Sequence, residues 1–398
     1  MVKVNQYMHK RTNNSQSGIA AIFTVVFFTI LISVIILSFV NIVSQDQRQV
    51  TNSDLSNSAY DSAEAGIEDA KRGLEKYRLE CVKTTTPAAN CSDLYTNAIN
   101  GALSGAECDS FQRLDPILGL NIEGSEVKVA TNSEDDSLQQ AYTCLKVQLA
   151  TDDYIRQLGS NQNILIPLKT VNDQPFNEIE INWFNQEDSN NPVIPSDTTS
   201  FDLPKNEDWP GSTPPIVRSQ IIAVERGAAN IDNIDNDAKT VFLFPSSTPS
   251  SNLVDVRSAD ATRKSQKYSP VAAQCLATTY ACGVMLTNYQ PIGGGTYDYY
   301  LRLSPIYNNA SIQVRLFDLS AGPNPIKFDG VEPIVDSTGR ANDVFRRIVS
   351  RVIFDDESST LNGGSGFDIT QGICKQFELA DLPAYYQPHC SSLDLVNE

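Results

Sequence analysis

At 398 residues the chain is too long for one compact hydrophobic core, because single cores stop growing near ~250–300 residues. Its apolar content of 41% is ordinary, so most of the chain can fold. The net charge is -18, and the first 79 residues carry 8 Lys and Arg against 7 Asp and Glu, so the excess acid follows them. Such an acidic surface repels phosphate backbones and excludes nucleic acid as the main partner.

The N-terminus begins with a polar leader, residues 1–18, which holds three Lys and Arg residues and no acid. An uncharged apolar stretch follows at 19–43. At about 25 residues it is long enough to cross a bilayer and too long for the hydrophobic segment of a secretory signal peptide. Positive residues beside a span stay in the cytoplasm. The sequence therefore predicts a transmembrane segment with the leader inside and the rest of the chain outside.

Residues 44–79 contain no Pro, and small or apolar residues recur there at spacings of four and three. This periodicity is typical of one face of an α-helix. We therefore expect one helix from 19 to 79, about 90 Å long, whose outer half packs a small-residue stripe against a globular head. The small-residue stripe consists of Ala59, Ala63, Ile67, Ala70 and Leu74.

From residue 80 onward, short alternating apolar runs are separated by Asn, Asp, Gly, Pro and Ser, which predicts a β-rich head. A Pro- and Asn-rich segment near 185–215 suggests a boundary between two lobes, 80–200 and 201–398. The segment from Tyr307 to Ala310 is interpreted as a hairpin turn between two strands. The predicted strands are 141–149, 163–168, 178–183, 216–224, 240–244, 297–303, 311–317 and 345–354.

The chain has eight cysteines and two histidines, with no C-x2-C spacing, so disulfides in an oxidising compartment are favoured over a zinc site. Sequence alone does not fix the pairing, although Cys275 and Cys282 are close enough for a short hairpin bridge. We expect the bonds to stay within two groups. These are Cys81, Cys91, Cys108 and Cys144, then Cys275, Cys282, Cys374 and Cys390.

The remaining groups of polar and charged residues do not indicate a specific catalytic or binding chemistry. Asp232, Asp235 and Asp237 could supply hard oxygen ligands for calcium, but the segment lacks the glycine and closing glutamate of an EF-hand, and a solvated turn is the favoured interpretation. No cofactor is therefore predicted. No nucleophile motif or phosphate loop is present, so the chain is predicted not to be an enzyme. One basic cluster is predicted to be a solvated sheet face with local ion pairs: Arg340, Arg346, Arg347 and Arg351.

The order of leader, apolar span and following segment resembles the PilX-like minor pilins of the type IV pilus and pseudopilin superfamily. The leader ends in Gly18, and residues 59–71, AYDSAEAGIEDAK, are similar to the A-x-x-A-E-A-G-x-x-x-A segment of that group. The resemblance implies cleavage by a prepilin peptidase between Gly18 and Ile19. It also implies an α+β fold, with a long N-terminal transmembrane helix as a pilin-like spine and a large, β-rich, disulfide-stapled extracellular head.

The late strands resemble a pilin-type sheet, and Cys374 with Cys390 resembles the disulfide-bounded C-terminal loop of many pilins. Most major pilins carry Glu as the fifth mature residue, whereas this chain has Phe23. This departure favours a minor, tip-located subunit that acts in filament assembly or surface adhesion. Such a subunit would stand in the cytoplasmic membrane and then in an extracellular filament.

The partners that the resemblance implies are other pilins, a prepilin peptidase, the inner-membrane assembly platform and a host or cell-surface receptor. Phe23 and the small-residue stripe are predicted to form the assembly face of the helix. Two alternatives stay open. One is the tip pseudopilin of a type II secretion-like system, and the other is a membrane-anchored extracellular hydrolase.

Overall fold

The computed structural model of the protein describes residues 17–77, 79, 108, 112, 114–115, 118–129, 138–160, 162–196, 208–226, 237–248, 251–260, 270–276, 279–291 and 296–352. Several features predicted from sequence lie outside these residues. They are the leader up to residue 16, Cys81, Cys91, Cys374, Cys390, Asp232 and Asp235.

The fold is α+β, with one long apolar N-terminal helix and a large β-rich part. The helices are α1 (Ser17–Tyr77) and the single turn α2 (Val256–Ala259). The strands are β1 (Ile122–Glu123), β2 (Glu126–Lys128), β3 (Ala141–Thr151), β4 (Tyr154–Leu158), β5 (Ile164–Pro167), β6 (Glu178–Asn185), β7 (Ile216–Glu225), β8 (Lys239–Ser246), β9 (Leu253–Asp255), β10 (Val271–Cys275), β11 (Tyr280–Thr287), β12 (Tyr297–Ile306), β13 (Ala310–Phe317), β14 (Phe328–Ala341) and β15 (Val344–Arg351).

Helix α1 is continuous over 61 residues, which confirms the long helix predicted from sequence. At ~1.5 Å per residue it is about 90 Å long. In lipid, no water is available to hydrogen-bond the backbone N–H and C=O groups of its apolar half. An α-helix satisfies these groups within the same segment, so a helix is the structure that suits this half. Its polar half carries ion pairs one turn apart, Lys71 with Glu68 at 2.6 Å and Arg72 with Asp69, which add modest local support.

The chain divides into two compact units. The first comprises residues 1–66, 121–143 and 338–348. Within it, β1 and β2 form a hairpin, and Val127 of β2 pairs with Tyr142 at the start of β3. The Arg340 guanidinium donates two hydrogen bonds to the Glu126 carboxylate, from Nε to Oε1 at 3.1 Å and from Nη2 to Oε2 at 2.5 Å. These strands belong to a five-stranded sheet of order β1-β2-β3-β14-β15.

The second unit comprises residues 67–120, 144–337 and 349–398 and contains a ten-stranded sheet. Its order is β4-β13-β6-β11-β10-β8-β7-β12-β5, with β9 paired to β11. Most pairs are antiparallel, but β8 with β10 and β9 with β11 are parallel. Alternate residues of each strand face one apolar core, in which Trp183 is fully buried and donates its indole N–H to Pro215 O at 3.1 Å.

The ten-stranded sheet is folded back on itself into a sandwich. Strands β12 and β13 are joined by residues 307–309 alone, yet five strands lie between them in the sheet order. In a flat sheet this separation would be about 29 Å, whereas a three-residue link spans at most about 14 Å. The sheet must therefore curl until these two strands approach, which encloses the core.

The link between β12 and β13 is a corner, so the hairpin predicted for Tyr307 to Ala310 is wrong. Strand β12 pairs with β5 and β7, whereas β13 pairs with β4 and β6. Tyr307 has a φ of 82° and stacks its ring on Trp209 at 4.4 Å. The Asn308 amide donates to Pro210 O at 2.7 Å and to Thr213 O at 2.8 Å. This corner is held by contacts with residues that are distant in sequence, and not by pairing between β12 and β13.

Strands from both sides of the predicted lobe boundary, 80–200 and 201–398, share this sandwich. Strand β6 pairs with β11 and β13, and β5 pairs with β12. The described ends of the segment that suggested a boundary, residues 185–196 and 208–215, lie in the same unit, and Val193 N donates to Ser212 O at 2.9 Å.

Two disulfides lie within the described residues, Cys108–Cys144 and Cys275–Cys282. Cys275 and Cys282 are directly opposite each other on β10 and β11, so the hairpin bridge predicted for them is present. Cys108–Cys144 joins two members of the first cysteine group. Closing a loop of this size is worth about 3–4 kcal/mol in the entropic account.

A buried carboxylate, Glu332, sits in the second unit with only 1% of its surface exposed. Its Oε2 accepts from Ile155 N at 2.9 Å and from Arg351 Nη1 at 2.7 Å, and Arg351 also donates to Asp153 at 2.7 Å. Its Oε1 is buried with no hydrogen-bond partner among the described residues. Burial therefore outweighs the nearby guanidinium and raises the pKa of Glu332 above its ordinary 4.5.

This shift predicts how Glu332→Gln changes the pH dependence of stability. Because folded Glu332 binds its proton more tightly than the unfolded chain does, its contribution is full below pH 4.5 and is lost as pH rises through the folded pKa. Relative to Glu332→Gln, the wild type should therefore lose stability as the pH rises above 4.5. Thermal unfolding of both full chains in nonionic detergent measures this, and a difference that stays constant with pH would contradict it.

Candidate functional site: helix α1

No described residue outside α1 covers the inner half of this helix. Every large apolar side chain from Ile22 to Val43 is exposed, on all faces of the helix. By length and composition α1 is able to cross a membrane, so it can anchor the chain there. Left in water, each of these side chains would forgo about 1.5–3 kcal/mol of burial free energy. The inner half therefore requires an apolar environment on every side.

The hydroxyl groups of this inner half are satisfied inside the helix. Thr29 Oγ1 donates to Val26 O at 2.8 Å, Ser33 Oγ to Thr29 O at 2.8 Å, and Ser38 Oγ to Val34 O at 2.9 Å. Such bonds to the preceding turn spare a hydroxyl the cost of an unpaired donor in lipid. These polar residues are thus compatible with a membrane environment.

The predicted processing site and the departure at Phe23 both lie near the start of α1. Gly18 and Ile19 are in the first turn of the helix. Phe23 is 71% exposed, within the inner half. The fifth position after Gly18 therefore presents an aromatic ring, and not a carboxylate, to whatever covers this part of the helix.

The small-residue stripe is buried within the chain itself. Ala59, Ala63 and Ala70 have no exposed surface, and Ile67 and Leu74 are nearly as buried. These five residues therefore cannot form an assembly face toward other subunits, as was predicted for them together with Phe23. Of that set, only Phe23 is exposed. The small side chains serve contact with the rest of this chain, as their periodicity also suggested.

Gly339 explains why the stripe begins with two alanines, Ala59 and Ala63. A Cβ at Gly339 on β14 would collide with Ala59 O and Ala63 N, and would lie 2.7 Å from Ser62 C. The strand backbone and the helix backbone are thus in direct contact in the first unit. Ser62, fully buried here, donates to Ser58 O at 2.8 Å and so leaves no unpaired hydroxyl at the contact. Small residues on both elements permit this approach.

A second close contact holds the helix near its C-terminal end. A Cβ at Gly73 would lie 2.8 Å from Leu114 Cδ2, and Leu114 is itself buried. Sequence motifs did not predict a role for Gly73, Gly339 or Leu114. A glycine within a helix or strand pattern was the available signal, because it often marks a close backbone approach.

The basic cluster divides into separate local contacts. Arg346 and Arg347 are exposed, as expected for a solvated sheet face, whereas Arg340 and Arg351 are partly buried. Arg340 pairs with Glu126, and Arg351 pairs with Asp153 and the buried Glu332. Arg346 Nε donates to Ser56 Oγ of α1 at 2.7 Å, and an exposed contact of this kind contributes ~0–1 kcal/mol, so packing dominates the attachment of the helix.

The predicted calcium ligands gain no support as a group. Asp237 is the one member within the described residues, and no cluster of three metal-ligating side chains occurs in the part of the chain that the structure describes.

The chain matches no protein-family model and no curated protein. Among solved structures, the crystal structure of the group B streptococcus pilus 2b backbone protein is similar at a TM-score of 0.15 and 8% identity. That match covers 51% of this chain and 57% of the other. A TM-score this low does not establish a shared fold.

The helix–strand contact predicts a strong effect of a single methyl group. Gly339→Ala should destabilise the protein by about 1–3 kcal/mol, because its Cβ meets backbone atoms that no rotamer change can move. Gly211→Ala is the matched control, since its Cβ meets nothing within 4 Å. Thermal unfolding of the full chains in detergent, with hydrogen exchange at residues 59–63, measures the difference. Equal melting of the two variants would show that the contact is unimportant.

Proposed function

We propose that this protein is a minor subunit of a type IV pilus-like surface filament, at or near the tip, acting in filament assembly or surface adhesion. The observation that carries the proposal is the division of one continuous helix. Its inner half is apolar and exposed on all faces, while its outer half buries one stripe of small and apolar residues within the protein itself. This division suits a spine that inserts among other helices and a head that moves with it.

The inner half would have two successive environments. Before assembly it would lie in the cytoplasmic membrane, with the basic leader inside and the head outside. In the filament, the apolar helices of other pilins would replace lipid. An uncharged helix with internally bonded hydroxyls is compatible with both, because neither environment supplies water to a polar group.

The outer half is fixed to β14 within the first unit. Backbone contact at Gly339 leaves little room for the helix to slide or rotate along this strand. A subunit pushed or pulled through its inner half would therefore transmit the movement to the strands of the first unit. This property suits assembly by an inner-membrane platform, which would act on the membrane-embedded part.

Phe23 and the size of the head favour a position at the tip. A subunit within the shaft would meet the N-terminal amine of a neighbour near its fifth mature residue, where Phe23 offers no carboxylate. The sequence after residue 79 also exceeds an ordinary domain of ~100–150 residues, and such bulk on every subunit would crowd the shaft. A rare subunit with neighbours on one side avoids both problems, and its head is free to meet a receptor.

The first prediction from this proposal concerns processing. A prepilin peptidase should cut between Gly18 and Ile19, because only a minimal side chain fits before the cut. N-terminal sequencing of the protein from membranes should start at Ile19. Gly18→Leu should accumulate the uncut chain, whereas Gly18→Ala, which adds one carbon, should retain part of the processing. A mature N-terminus near Gln45 would instead indicate signal peptidase and contradict the proposal.

The second prediction concerns position. Immunogold labelling of the head should mark filament ends at low copy number, because bulk and Phe23 exclude the subunit from the shaft. Deletion should reduce filament number or adhesion and leave the filament diameter unchanged. Regular labelling along the shaft would contradict the tip position. Unchanged filaments together with turnover of a polysaccharide by the purified protein would favour the hydrolase alternative.

A further inference from the structure

Two tyrosines lie on the inner face of β12, at the end of the sandwich where this strand begins. Tyr297 and Tyr299 are two residues apart and therefore on one face, with ring centroids 6.3 Å apart and ring planes inclined at 42°. Tyr299 packs against the core and contacts Phe176 and the buried Tyr289 at 5.8 and 5.5 Å. An aromatic wall therefore leads from the core outward to Tyr297, which is partly exposed.

Two carboxylates lie at the same end of the sheet and are also partly exposed. Glu225 of β7 is directly opposite Tyr297 in the antiparallel register and therefore on the same face. Asp237 comes two residues before Lys239 of β8, which is opposite Ile221 of β7. Partial burial raises the pKa of Tyr297, and the negative charges of Glu225 and then Asp237 raise it further. Both carboxylates are therefore close to this ring.

These two carboxylates are not compensated by a nearby cation. Within the described residues, neither Glu225 nor Asp237 forms an ion pair or a hydrogen bond. Arg226, which follows β7, donates its Nε to Asp298 at 2.7 Å. Asp298 adjoins Tyr297 in β12, so its side chain and this arginine are on the opposite face of the strand. The inner face at this end therefore places negative charge beside two aromatic rings.

We propose that this group of side chains, named here the tyrosine–carboxylate site, binds an organic ammonium group. The site consists of Tyr297, Tyr299, Glu225 and Asp237. A cation within about 6 Å of an aromatic ring is attracted to the ring face, and the two carboxylates add charge attraction. The acidic chain, with a net charge of -18, also concentrates cations near its surface.

The aromatic rings favour an alkylammonium over a metal ion. Calcium takes 6–8 oxygen ligands, and no cluster of three metal-ligating side chains occurs in the part of the chain that the structure describes. An alkylammonium needs no such shell, and its apolar substituents can contact the rings. The expected ligand is therefore a quaternary ammonium or a primary alkylamine. This site does not depend on the proposed role in a filament.

Isothermal titration tests the site on the full chain in nonionic detergent. Choline chloride, exchanged against sodium chloride at constant ionic strength, should bind at one saturable site per chain. Dimethylbutanol, the neutral carbon analogue of choline, should bind at least about tenfold more weakly, because neither the rings nor the carboxylates attract it by charge. Equal binding of choline and its neutral analogue would overturn the proposal.

Variants of the rings and carboxylates locate the binding. Tyr297→Leu should weaken choline binding roughly threefold to thirtyfold, because it removes one ring face, whereas Tyr297→Phe keeps the ring and should bind nearly as the wild type does. Glu225→Gln should weaken binding by a similar factor. Tyr300→Leu is the matched control, since Tyr300 is partly exposed on the same strand but lies on its other face. Equal weakening in Tyr300→Leu would contradict the assignment.

A titration with butylammonium identifies the class of ammonium. Choline binding alone would assign the site to a quaternary ammonium. Butylammonium that competes with choline would assign it to primary amines as well, such as the side chain of a lysine. If neither probe binds at a saturable site, the proposal is wrong.

Thermal unfolding distinguishes a binding role from a structural one. Saturating choline should raise the melting temperature of the wild type and of Tyr300→Leu, and not that of the double variant Glu225→Gln with Asp237→Asn. If Tyr297→Leu does not fold, this double variant, which keeps every ring, decides the test. A double variant whose melting temperature differs from that of the wild type by the same amount with and without choline would show a structural role alone.

Discussion

The contact between the backbone of β14 and the backbone of α1 is the constraint on which the attached helix depends. Gly339 has no side chain, and Ala59, Ser62 and Ala63 are small, so the two elements meet without intervening atoms. A contact of this kind has one geometry, because backbone atoms cannot adopt another rotamer. The same helix carries an inner half that none of the other described residues covers. Helix α1 therefore lies in two environments. Because its outer half has one orientation against β14, that contact also sets the orientation of the inner half about the helix axis.

Local patterns predicted the helix and part of the sheet. The spacing of the stripe and the uncharged run predicted α1 to within two residues at each end. Alternation predicted strands that overlap β3, β5, β6, β7, β8, β12, β13 and β15. Strand β14 was missed because its sequence contains Gly330, Pro333 and Gly339, which are typical of loops, and Gly330 indeed has a φ of 64°. Strand β4 was missed because it is short and gains its register from β13, far along the chain.

Every functional feature that local sequence patterns failed to predict depends on contacts between residues that are distant in the chain. The stripe was visible, but nothing near residue 339 indicates that it meets residue 59. The segment at Tyr307 has turn composition, and only the sheet order shows that it joins strands on opposite sides of the core. The composition of a segment indicates which local structure it can form. Which strand it contacts depends on the arrangement of the whole sheet.

The position of Gly339 in the chain also sets an order of events during synthesis. The helix residues that it covers are made about 280 residues earlier, and β13, which pairs with β4, is made about 150 residues after that strand. Chains emerge N-terminus first, so the part of α1 around Ala59 and Ala63 lacks its contact with β14, and the sandwich stays open, until nearly all the described residues have left the ribosome. Pairings over such separations form slowly. The chain therefore has an anchored helix long before its head is complete. A quality-control step that tests whether this helix is docked would also test whether the last strands have been made.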